Sequence, residues 1–151
     1  TSWAAYNAMS FSTANLNTLY ERMRIDSNGN VGIGLTNPSY KLDVSGSIGY
    51  SGSLVSTSDK IMKKNIQKCP DDVLAKLLQI ESKTFNYINE KDTKDYFGFI
   101  AQDLEKIFPS LVQKRSDGTL TLSYVEMIPL LLKAIQELHK MVNPTGKINL
   151  G

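Results

Sequence analysis

The stretch STSDKIMKKNI, Ser56–Ile66, is where the chain changes grammar. Before it, residues 1–57 are rich in Ser, Asn, Gly and Thr; after it come most of the lysines and glutamates. The shift divides the 151 residues into a β-rich segment, 1–57, and an α+β segment, 58–151. An apolar fraction of 41% is enough for a core, and 17 basic against 15 acidic residues leave a net charge of +2. That balance predicts neither a nucleic-acid patch nor an acidic partner.

Working back from Ser56, ERMRIDSNGNVGIG sets Met23 and Ile25 against Arg22 and Arg24, turns at Ser27–Gly29 and resumes at Val31 and Ile33. This is a strand, a turn and a strand. YKLDVSGSIGY alternates Leu42 and Val44 with Lys41 and Asp43, a second short strand with an apolar and a polar side. Strands with so few large apolar residues and so many glycines do not bury a core alone and need partner strands, in this chain or in sister chains.

Working forward, Pro70, Asp71 and Asp72 open a helix through DDVLAKLLQI, with the two acids as capping residues. KTFNYI reads as a strand, and FGFIAQDLEKIF as a helix with Ile100, Leu104, Ile107 and Phe108 on one face until Pro109 stops it. LVQKRSDGTLTLSY is a hairpin turning at Ser116–Gly118. The last helix, with Ser123 as candidate cap, carries Ile128, Leu131, Leu132, Ile135, Leu138 and Met141 or Val142 at spacings of three and four. So wide a stripe packs on copies of itself as well as on its own domain. The plainer alternative is a helix buried in one monomeric core.

Several chemistries are excluded by composition. One histidine, His139, rules out a multi-histidine metal site and a Ser-His-Asp triad. The single Cys69 rules out an internal disulfide and a cysteine cluster, so no metal and no cofactor is expected. Gly32 and Gly34 are trailed by Pro38 rather than by a helix, and read as turn and close-packing glycines instead of a nucleotide loop. No apolar run approaches a membrane span, and TSWAAYNAMS lacks a leader pattern; this opening reads as a piece of a longer, soluble protein. A serine with a lysine remains as a candidate catalytic pair. Ser58 and Lys63 lie five apart, which on a regular helix turns them about 140° from each other. They meet only if Ser58 lies in an extended or turn conformation ahead of the helix.

SDKIMKKNI, then FGFIAQDLEKIFP, a hairpin and YVEMIPLLLKAIQEL together resemble the C-terminal intramolecular chaperone domain of phage tailspikes, endosialidases and tail fibres, the S74 peptidase family. The upstream ERMRIDSNGNVGIGLTNPSYKLDVSGSI is similar to the β-rich stalk that precedes this domain in fibre proteins. The resemblance implies a homotrimer with a helical core, whose tail brings three chains into register, lets the upstream strands wind together and is then cut off. It implies catalytic residues Ser58 and Lys63, cleavage between Thr57 and Ser58, and Asp59 and Gln102 as candidate supporting residues. Asp59 would orient Lys63 or, on the preferred reading, cap the following helix; Gln102 would join the site or, on the preferred reading, face the core. One departure from the pattern is Ile61, where an arginine is common. The implied partners are the chain itself and its own upstream fibre, with no nucleic acid and no membrane, and the implied location is a virion fibre or spike. A structural tip that assembles without cutting is the alternative, and a monomeric binding module a third.

Overall fold

The structure, a computed structural model, describes residues 7–88 and 94–144. The first six residues of the opening stretch, and the segment after Pro144, therefore lie outside the described residues. The fold is a mixed α+β arrangement of several small sheets and one long C-terminal helix. The chain divides into two units: Thr1–Asp59 with Arg115–Asp117, and Lys60–Lys114 with Gly118–Gly151.

The first unit holds a four-stranded sheet, β1 (Met9–Asn15), β2 (Thr18–Ile25), β3 (Val31–Ile33) and β4 (Leu42–Val44), paired in that order. The β2–β3 hairpin is the one its turn chemistry predicts. Asp26 Oδ1 accepts the backbone N–H groups of Asn28 and Asn30 at 2.8 and 2.9 Å, and Gly29 supplies the positive φ of 71°. That backbone bonding holds the Asp26 carboxyl below its usual pKa. Strand β1 escapes the sequence reading because MSFSTAN offers little apolar alternation; all seven residues are exposed. Its tight turn onto β2 has Leu16 and Asn17 at φ 46° and 67°, the left-handed pair a two-residue hairpin demands.

Strand β4 lies where Leu42 and Val44 place it, parallel to β3, but with its faces reversed. Leu42 is exposed, whereas Asp43 is buried at 4% exposure. The reason is a partner 72 residues on: Arg115 donates to both Asp43 oxygens, and a satisfied bidentate pair makes burial of the carboxylate tolerable.

In the second unit, the core is Leu104, Leu111 and Met127, ringed by Ile80, Phe99, Phe108, Val112, Leu122 and Leu130. Helix α1 (Val73–Leu77) is shorter than DDVLAKLLQI implies. Strand β5 (Lys83–Phe85) pairs antiparallel with β6 (Tyr96–Gly98). The FGF run expected to start a helix is thus partly strand, and helix α2 spans only Ala101–Glu105. Ile107 and Phe108 follow α2 half-buried, and Pro109 opens a single 3-10 turn, Pro109–Leu111. Gly98 is required by packing, since a Cβ there would stand 2.6 Å from the Tyr124 hydroxyl. That hydroxyl accepts the Phe99 N–H at 3.2 Å, and the two rings stack. The hairpin of β7 (Val112–Lys114) and β8 (Leu120–Leu122) forms as its SDG turn predicts, with Gly118 at φ 89°.

Helix α3 (Met127–Val142) begins later than Ser123, with Glu126 at its N-cap. Its inward face is Met127, Leu130 and Ala134. The stripe read from the sequence lies elsewhere on the helix and does not enter the core of its own chain.

Candidate functional site

Glycine and serine are frequent in residues 45–58, the first part of the run after β4, and its apolar side chains follow no strand or helix period. Every residue from Ser45 to Asp72 is exposed, and the regular structure there is one 3-10 turn, Lys60–Met62, closed by Lys63 N–H to Lys60 C=O at 3.1 Å. So long a structureless segment inside a folded chain is usually functional. It also displays Ile48, Tyr50, Leu54, Val55, Ile61, Met62 and Ile66 to solvent.

Thr57, Ser58 and Asp59 stand in this run without regular structure and close the first unit. Lys63 follows the 3-10 turn in the second unit; Ser58, Asp59 and Lys63 are all exposed. Ser58 therefore precedes the turn in non-helical backbone, the condition that the five-residue spacing sets. Gln102 is exposed on the first turn of α2, beside an aromatic cleft lined by Phe85, Tyr87, Phe99 and Tyr124. Its expected core-facing position is therefore corrected: α2 turns Leu104 inward, and Gln102 lies on another face of so short a helix.

The assignment of Asp71 and Asp72 as capping residues is also corrected. Asp72 makes no side-chain cap bond and instead pairs with Lys76 at 2.9 Å. The capping carboxylate comes from α3: Glu137 accepts the Leu74 N–H at 2.8 Å and the Asp72 N–H at 3.3 Å. These bonds, led by that from Leu74 and opposed by desolvation, hold the Glu137 carboxyl below its usual pKa. Asp71 pairs with Lys133, which raises the lysine pKa and lowers that of the aspartate. No local motif signals a cap supplied from more than sixty residues away.

The clasp fixes which side of α3 faces its own chain. On the remaining surface Ile128, Leu131, Leu132, Ile135, Leu138, Met141 and Val142 are each 50–71% exposed. Contiguous apolar surface of this kind marks an interaction face.

The described residues thus combine a small β-sheet unit, an exposed junction and a mixed fold that ends in a long helix with an exposed apolar stripe. Residues 58–113 match the Peptidase S74 family model, described as chaperone of endosialidase. The resemblance read from the motifs is thus shown over that segment. The chain is 39% identical over 103 residues to a probable tail fibre protein of Escherichia phage Phieco32, a match spanning 65% of this chain and 14% of that protein. Its fold is similar to that of the carboxy-terminal domain of the bacteriophage T5 L-shaped tail fibre with its intramolecular chaperone domain. That likeness has a TM-score of 0.50 at 12% identity and covers 91% of this chain and 44% of the other. The chain thus spans well under two thirds of the length of either protein.

Proposed function

We propose that this chain is the tail of a viral fibre protein: a chaperone segment that trimerises, aligns the upstream β-rich strands and then severs itself between Thr57 and Ser58. The observation that carries the reading is that the family match opens on Ser58 itself, inside the exposed junction. Two features support assembly. The α3 stripe offers apolar area with no partner in its own core, and the small upstream sheet buries too little to set its own register. Bringing three copies together raises the effective concentration of strands whose pairing is slow.

In the cut, Ser58 Oγ attacks the Thr57 carbonyl carbon while Lys63, in its neutral form, takes the hydroxyl proton. The C–N bond breaks, the Ser58 nitrogen receives the proton, and Thr57 is left as an ester on Ser58 Oγ. Water hydrolyses that ester to a Thr57 carboxylate and a Ser58 carrying free amine and hydroxyl. A lysine in water stays protonated, so this chemistry needs desolvation and neighbouring positive charge such as Lys60 and Lys64. Lys63 is exposed in the single chain, and the trimer interface supplies the burial, so cutting follows assembly. Asp59 and Gln102 take supporting places, Asp59 ahead of the 3-10 turn and Gln102 at the aromatic cleft.

Ser58→Ala and Lys63→Ala test the reading. Each is expected to yield an uncut chain by denaturing mass spectrometry that still sediments as a trimer. Efficient cutting in the Lys63 variant would remove lysine from the role of base. An uncut wild-type trimer would favour the non-cleaving fibre tip.

A further inference from the structure

The first unit is not contiguous in sequence, because it includes Arg115–Asp117 from the β7–β8 turn. Those three residues lie downstream of Ser58, while the rest of the unit, apart from Ser58 and Asp59, lies upstream of the cut. Among its described residues, Asp43 is the buried charged side chain. Arg115 Nη1 and Nη2 donate to its two carboxylate oxygens at 3.0 and 2.8 Å, and the Ser39 N–H donates to Oδ2 at 2.8 Å. The Arg115 guanidinium also stands 5.8 Å from the centre of the Tyr40 ring. Beside it, Ser39 Oγ accepts the Ser116 N–H at 3.1 Å and lies 3.0 Å from Ser116 Oγ. The upstream side of this cluster is therefore Ser39–Asp43, and the downstream side is Arg115 and Ser116.

We propose that this cluster is a latch that keeps the two products joined after the chain is cut, so that cutting and release are separate steps. The proposal rests on the self-cleaving reading above. Once the Thr57–Ser58 bond is gone, Asp43 and Arg115 belong to different polypeptides, and the bidentate pair bridges them. Arginine suits the task because its planar fork holds both carboxylate oxygens at once, and parting the fragments would break both charge-assisted hydrogen bonds together. The chaperone segment then stays on the fibre end it has registered until that pair opens.

The test uses two nicked forms of the whole chain. One is the self-cut protein. The other is a Ser58→Ala chain carrying a sequence-specific protease site in the exposed run Ser51–Val55, nicked by that protease. Native gel filtration with denaturing mass analysis of each fraction should find upstream and downstream fragments together in both forms. Arg115→Ala should separate them, with a dissociation constant raised roughly a hundredfold. Should Arg115→Ala not fold, Asp43→Asn and Arg115→Lys give the same reading, the lysine falling between wild type and alanine because it keeps the charge without the fork. Fragments that part in the wild-type chain, or co-elute undiminished in the Arg115 and Asp43 variants, overturn the latch. If the chain never cuts itself, the first form yields no fragments and the self-cleaving reading fails, while the protease-nicked form still decides whether the cluster holds the two segments.

Discussion

Ile135→Ala separates an assembling helix from a monomeric one. Ile135 is 63% exposed on α3, so in a lone chain its truncation changes stability by less than about 0.5 kcal/mol. Alanine is also the better helix former, by a few tenths of a kcal/mol, which makes the lone chain equal to wild type or slightly more stable. Packed between copies, the same side chain is a core residue, and its loss costs about 2–4 kcal/mol per copy. Over three copies that is about 6–12 kcal/mol, or roughly four to nine powers of ten in the trimerisation constant. Sedimentation equilibrium over a wide concentration range reads this directly, and thermal unfolding of the dilute chain provides the monomer control. A variant that self-associates like wild type, or one whose monomer loses more than about 2 kcal/mol, refutes the assignment of the stripe as an interface.

The Glu137 cap has a pH signature. Its folded-state pKa lies below the ordinary glutamate value of 4.5, so its stabilisation is complete above that value and is lost as pH falls through the folded one. Glu137→Gln is therefore expected to lower the urea midpoint at pH 7 and to flatten its acid dependence below about pH 4.5; an unchanged acid slope would contradict the cap. Gly98→Ala forces a Cβ against the Tyr124 hydroxyl and the Phe85 ring, costing about 1–3 kcal/mol. Combining it with Tyr124→Phe should recover part of that cost, and strict additivity in the double-mutant cycle would disprove the clash.

The features legible in the sequence are those whose causes are local. The Ser27–Gly29 and Ser116–Gly118 turns carry their own side-chain and glycine chemistry, and both hairpins form where that chemistry puts them. The apolar spacing of α3 gave its existence and the width of its stripe, although the stripe and the core face proved to be different surfaces. What stayed hidden depends on distant partners. Asp43 is turned inward by Arg115, against the alternation of Leu42 and Val44 around it. The head of α1 is capped by Glu137 of α3, so Asp71 and Asp72, placed where capping acids belong, do other work. Strand β6 hides in YFG because its pairing with Lys83–Phe85 is not written in a three-residue run. At the junction, the spacing of Ser58 and Lys63 set only a condition, non-helical backbone at Ser58, and the exposure of Gln102 carried no local signal.

On the proposed function, assembly of three chains switches on the cut. Denaturing mass spectrometry of freshly refolded protein, held at concentrations below and above the sedimentation midpoint, tests it most directly. Full-length chain is expected in the dilute sample and, in the concentrated one, a product that begins at Ser58. A product of the same mass from unassembled chain, or full-length chain alone in an established trimer, would contradict it.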